Sequence, residues 1–134
     1  MLFGWKDEYG TGVAKIDEQH KKLFEIAGKT YSLLNDEFAI DKYDRIIELI
    51  NELREYAIFH FKFEEEYMLS IGYKKFFSHK VEHDDFIEKI NNVDYAQLDK
   101  EQDVYLRHIL EFVVEWISNH ILKLDKKILQ FSDK

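Results

Sequence analysis

Five histidines and two carboxylates in this 134-residue chain fall at spacings that can build a metal site. His60 and Glu64 are four residues apart, and so are His79 and His83. On a helix that step puts both side chains on one face. His20 stands alone, and His120 is followed by Asp125. Imidazoles and carboxylates suit several divalent metals, so the pattern points to metal binding without naming the metal. Other chemistry has little to work with. The chain has no Cys, which removes disulfides, thiolate-held zinc, iron–sulfur clusters and thiol nucleophiles together. It has no Gly-rich phosphate loop and no nucleophile elbow.

A single buried His is readily satisfied by a backbone carbonyl or a Tyr hydroxyl. The set is different. Each buried polar group left without a partner costs about 1–3 kcal/mol. Five imidazoles and two carboxylates would make a poor core alone and a satisfied one around a pair of divalent ions.

The elements that must position these groups are helices. Apolar residues recur in steps of three and four along four stripes. The first holds Ile16, His20, Leu23, Phe24, Ala27, Tyr31 and Leu34. The second runs from Tyr43 through Ile46, Ile50, Leu53, Ala57, His60, Phe61 and Glu64 to Met68. The third holds Phe76, His79, His83, Phe86, Ile87 and Ile90. The fourth runs from Leu106 through Leu110, Val113, Trp116, Ile117 and His120 to Leu124. Asp41 is expected to cap the second helix, Gly72 to end it, and Asp99 with Gln102 to form a capping box for the fourth. The pattern predicts an all-α, up-down-up-down four-helix bundle, in which facing helices build metal sites. Three of the five Gly lie in the first twelve residues, which predicts an irregular N-terminal arm over about 1–13. The bundle is expected over about 14–131, within one domain spanning 1–134.

One step breaks the helical rule. His120 and Asp125 are five apart, about 140° around an ideal helix. Either the fourth helix widens there in π fashion, or Asp125 reaches in from a fraying end.

Composition narrows the partners. Lys and Arg total 19 against 27 Asp and Glu, a formal charge of −8. Such a surface is repelled by phosphate backbones and anionic lipid, so neither nucleic acid nor membrane is expected as a partner. The N-terminus does not read as a signal peptide, and no segment nears the roughly 18 apolar residues of a membrane span. A cytoplasmic protein is expected. Among the remaining polar residues, His108 lies off the fourth stripe and is left out of the site. Glu65 and Glu66 read as solvated charges, and Glu82 and Asp84 as facing solvent or groups behind the ligands.

The segments Trp5…Ile16-Asp17-Glu18-Gln19-His20, His60-Phe61-Lys62-Phe63-Glu64-Glu65, His79-Lys80-Val81-Glu82-His83 and Trp116-Ile117-Ser118-Asn119-His120…Asp125 resemble the hemerythrin family, in particular its single-domain bacterial members. The likeness runs from Trp5 to Asp125 and fills all seven ligand positions in order, including the step from His120 to Asp125. It implies two iron ions per chain. One would take His79, His83 and His120, and the other His20 and His60. Glu64 and Asp125 would bridge them, together with an oxo or hydroxo group. All but one position of two six-coordinate ions would then be filled, the vacancy falling on the iron with two His. The implied function is reversible dioxygen binding for carriage, storage or delivery, a binding protein and not an enzyme. A sensor acting through a partner and a di-iron redox enzyme are the alternatives. The protein that would receive the oxygen is not visible in the sequence. Trp5, Phe24, Phe61, Trp116 and Ile117 are candidates for a dry wall around the site.

Overall fold

The computed structural model describes residues 6–36, 38 and 40–128. Trp5, and the part of the expected bundle beyond residue 128, lie outside the described residues. Five α-helices are formed: α1 (Ala14–Leu34), α2 (Tyr43–Ser70), α3 (Phe76–Asn91), α4 (Tyr95–Lys100) and α5 (Gln102–His120). Helix α5 runs on into a π-helical turn, Ile121–Asp125. No strand occurs among the described residues.

The long helices form where the apolar spacing predicts them, because each has a stripe to bury. Ile16, Leu23, Phe24 and Ala27 of α1 are buried, as are Ile46, Ile50, Leu53, Ala57, Phe61 and Met68 of α2. Phe86 and Ile90 of α3 and Leu106, Leu110, Val113 and Ile117 of α5 complete the core. Each of these side chains larger than Ala gains about 1.5–3 kcal/mol by leaving water. Helix α1 packs on α2 and α5, and α2 packs on α3. The chain direction follows from where the ligands meet. His20 near the start of α1, His60 and Glu64 in the second half of α2, His79 and His83 near the start of α3, and His120 at the end of α5 gather at one end. That is possible only if neighbouring long helices run antiparallel, the up-down-up-down arrangement.

Helix boundaries are set locally. Gly72 sits at φ +68°, the left-handed conformation that favours glycine. Its N–H donates to the Leu69 carbonyl, and the Tyr73 N–H donates to Met68, closing α2 in a Schellman motif. Met68 and Tyr73 also pack together, as that motif prefers. The N-cap position of α2 is Lys42, not Asp41 as expected; Asp41 stands one residue earlier, and its carboxylate accepts from the Tyr43 N–H at 3.0 Å.

The capping box expected at Asp99 and Gln102 does not form. Asp99 lies inside α4, a short helix that the apolar stripes did not reveal. Asp94 caps α4, its Oδ1 accepting from the Gln97 N–H at 3.0 Å, while α5 starts from Glu101 with no side-chain cap. Gln102 instead reaches across to the α1–α2 connection. Its Oε1 accepts from the Lys42 N–H at 2.8 Å, and its Nε2 donates to Asp41 at 2.9 Å. Beside it, the buried Lys42 ammonium donates to the Leu34 carbonyl at 3.2 Å and pairs with Asp103 at 2.9 Å. A cation is well placed there, at the negative end of the α1 dipole.

The described part of the N-terminal arm, residues 6–13, has one 3₁₀ turn, Asp7–Tyr9, and is fastened to the bundle. Tyr9 is buried and stacks on Phe24 with ring centroids 5.2 Å apart. The Thr11 N–H and hydroxyl both donate to Asp17 at 2.8 Å.

Candidate metal centre

All seven expected ligands are buried, and all seven meet. Two groups can be drawn, sharing both carboxylates. One holds Glu64, His79, His83, His120 and Asp125, and the other His20, His60, Glu64 and Asp125. Within each group the candidate donor atoms lie within 4.8 Å of one another. His60 and Glu64 reach one spot because α2 is regular between them. His79 and His83 do so on α3 for the same reason. Asp125 arrives because the turn Ile121–Asp125 is π-helical. The wider turn restores a five-residue step to one face, which is the first of the two alternatives the spacing allowed.

Glu64 presents Oε1 to His79 at 2.8 Å and His83 at 3.2 Å, and Oε2 to His60 at 3.4 Å and His20 at 3.6 Å. Asp125 divides itself in the same sense. Its Oδ1 lies 2.8 Å from His79 and 3.0 Å from His120, and its Oδ2 lies 3.0 Å from His20. Each carboxylate therefore gives one oxygen to the three-His group and the other to the two-His group.

These atoms are close but poorly paired. Glu64 Oε2, both Asp125 oxygens and His20 Nε2 are buried with no aligned hydrogen bond, despite neighbours at 2.8–3.6 Å. Nε2 of His120 faces Nε2 of His79 at 2.9 Å and Nε2 of His83 at 3.0 Å. A nitrogen pair can share one proton, but three nitrogens turned on each other cannot all be satisfied by protons in place. Leaving such groups unpaired costs about 1–3 kcal/mol each. Separations near 3 Å are the edge length of an octahedron with bonds of about 2.1 Å. A cation at the focus of each group would accept all of these lone pairs at once, so the residues present fit a pair of divalent ions.

Electrostatics agree. Burial opposes the Glu64 charge, but contacts with His120, His20, His79 and His83 overcome it and hold this carboxyl well below its ordinary range. Burial and Glu64 both push Asp125 up, yet the His120 charge and contacts with His120 and His20 bring it below its ordinary value. Burial alone would lower His20 and His120. The two carboxylates outweigh it and raise them to about 9 and about 10. His79 is raised for the same reason. His60 is lowered to about 3, because burial dominates there. The two carboxylates thus favour positive charge among the imidazoles around them, which is the electrostatic setting a cation would occupy.

The outward nitrogens are also placed. His60 Nδ1 lies 2.7 Å from Gln19 Oε1, His83 Nδ1 2.9 Å from Glu65 Oε2, and His120 Nδ1 3.4 Å from Glu82 Oε1. Glu65 is therefore not the solvated charge expected from the sequence. Its neighbour Glu64 points into the core, and one residue further round α2 the side chain reaches the outer edge of His83. Glu82 does stand behind a ligand, one of the two placements expected. Gln19 carried no signal, since only its contact across to α2 reveals it. His108 is exposed and remote from the site.

Aromatic rings close over the donors. Phe61 stacks on His83 with centroids 4.0 Å apart and leans on His60 at 5.7 Å. Trp116 stacks on His120 at 4.4 Å. Phe24 and Ile117 are buried as well, Phe24 against Tyr9.

Comparison with known proteins gives the same picture. The profile of the hemerythrin HHE cation binding domain matches residues 11–131. A bacteriohemerythrin of Clostridium acetobutylicum is 53% identical over 128 residues, which cover 96% of this chain and 99% of that protein. A bacteriohemerythrin of Methylococcus capsulatus is 34% identical, over 89% of this chain and 87% of its own length. A hemerythrin-like protein of Naegleria gruberi is 30% identical, over 93% and 89%. With the profile match spanning nearly the whole bundle, and with these relatives covered almost end to end, this chain belongs to the hemerythrin family.

Proposed function

We propose that this protein binds dioxygen reversibly at a di-iron centre, as a carrier, store or delivery protein and not as an enzyme. In this reading His79, His83 and His120 hold one iron, His20 and His60 hold the other, and Glu64 and Asp125 bridge the two. The observation that carries it is the division of both carboxylates, one oxygen to each imidazole group. Family membership supports iron as the metal and dioxygen as the ligand. When bound there, the iron pair would supply two electrons and a place for the gas to bind.

The chain's own residues supply the rest. Five neutral imidazoles and two carboxylates bring little negative charge, which disfavours the highly oxidised iron that destructive chemistry needs. Each imidazole turns Nε2 inward. On His60 and His83 the Nδ1 proton is donated outward, to Gln19 and Glu65, so neither proton faces the bound gas. Phe61, stacked on His83 and leaning on His60, roofs both halves of the site against water. Phe24 and Ile117, both buried, would add apolar surface to that lining. No described helix is long and apolar enough to cross a membrane, and the reading has the protein at work in the cytoplasm.

The test is an optical spectrum of iron-loaded protein taken reduced without air, then in air, then flushed with argon, with iron assayed per chain. Two irons per chain, and a visible charge-transfer band that appears in air and fades under argon without added reductant, are expected. A band that argon cannot remove would overturn reversible binding, and a redox role would replace it.

A further inference from the structure

The atoms behind the imidazoles are not alike on the two sides of the site. Both anions stand behind the three-His group. Glu65 Oε2 lies 2.9 Å from His83 Nδ1, and Glu82 Oε1 lies 3.4 Å from His120 Nδ1. Behind the two-His group stands a neutral amide, Gln19, at 2.7 Å from His60 Nδ1. Each side also has one imidazole whose Nδ1 is buried without a hydrogen-bond partner, His20 on this side and His79 on the other, so the contrast rests on Glu65 and Glu82 against Gln19. The Lys80 ammonium, paired with Asp84 at 3.0 Å, stands further off, 4.0 Å from Glu65 Oε1. The Glu65 side chain is only 18% exposed, so its charge acts on His83 with little screening. Glu82 is 47% exposed and acts more weakly.

A carboxylate that accepts the Nδ1 proton draws it away from the ring and makes Nε2 a stronger donor. An amide oxygen does this less. We infer that Glu65 and Gln19 are positioning residues that make the two metal sites unequal: Glu65 tightens the three-His site, and Gln19 orients His60 while leaving the two-His site the weaker and first to lose its ion. The inequality has a use. The ion with the open position is then the one held by fewer and less basic donors, and its partner anchors the pair through Glu64 and Asp125. This inference rests on the two-ion reading above.

The experiment is a titration of metal-free protein with Co²⁺ against a competing chelator, followed by the cobalt d–d bands and by proton NMR of hyperfine-shifted, exchangeable Nδ1–H signals. Two binding steps are expected, the three-His site filling first. Glu65→Gln keeps shape and hydrogen bond but removes the charge. It should weaken the first step by about 10–100-fold, leave the second in place, and move the His83 Nδ1–H signal. Gln19→Glu should tighten the second step by about tenfold and move the His60 signal alone. Gln19→Leu, a second variant in case the added charge prevents folding, should weaken the second step and let the His60 proton exchange with water. Equal shifts of both steps, or none, in folded variants would overturn the inference and leave the two-ion reading standing. Binding of one Co²⁺ or none in the unaltered protein would overturn the two-ion reading, and this inference with it.

Discussion

The two ends of the bundle are built from the same helices and obey the same spacing, yet they are held together differently. At the end away from the ligands, Ile26, Leu49, Ile50, Leu53, Leu106, Leu110 and Val113 meet, and the core is apolar. At the other end the equivalent inward positions carry His20, His60, Glu64, His79, His83, His120 and Asp125. The first end needs nothing but exclusion of water. The second brings buried oxygens and nitrogens to within about 3 Å of one another without aligned hydrogen bonds, an arrangement that cations would satisfy. A helical stripe therefore specifies which side chains go inside, while the chemistry of those side chains decides whether the inside is stable by itself.

That contrast can be broken, and the largest effect is expected from a bridge. Glu64→Ala should bring iron content from two per chain to below one and abolish oxygen binding, because each ion loses a donor. His83→Ala should empty the three-His side first. Iron assay and the air–argon spectrum read both. One intact ion in Glu64→Ala, or a fully loaded and active His83→Ala, would contradict the assigned roles.

Removing the metal comes next. Protein stripped with a chelator should lose about 4 kcal/mol relative to protein whose metal stands a thousandfold above its Kd. Amide exchange should quicken around His60–Met68 and His120–Asp125 and stay slow around Leu49 and Leu106. Equal loosening at both ends would show that the two ends do not differ as described.

At the apolar end, Leu110→Ala should cost about 3 kcal/mol, within the range for a buried Leu. Denaturant titration measures that loss, and metal content should not change. A drop in bound iron would mean that the far end also shapes the site.

The smallest effect is expected at a boundary. Gly72→Ala meets nothing within 4 Å, so only its left-handed backbone opposes the change. About 1 kcal/mol should be lost, read as a small fall in Tm with the metal retained.

Much of this was legible before the fold. Helical periodicity is local, so α1, α2, α3 and α5 and their buried faces follow from the order of residues. So do the pairs His60/Glu64 and His79/His83, whose meeting needs only a regular helix. Gly72 was legible because its conformation is set by its own backbone. Helix α4 was not, since a helix of six residues has too little stripe to read, and Asp99, expected to cap the fourth long helix, lies inside it. The apolar Tyr9 lies in the arm, where no periodicity says whether a ring turns inward.

The remaining differences mark the division between chain and fold. Residue types and their spacing determine that seven donors point into one core, because helix pitch converts sequence distance into direction. They left two possibilities for Asp125, and the packed structure chose the π turn. They could not show that Glu64 and Asp125 each turn one oxygen to either imidazole group. Nor could they show that Gln19 and Glu65 stand behind His60 and His83. Those contacts join different helices, and their distances depend on how the helices are rotated and set against one another. Pitch does not encode that; only packing the whole core does.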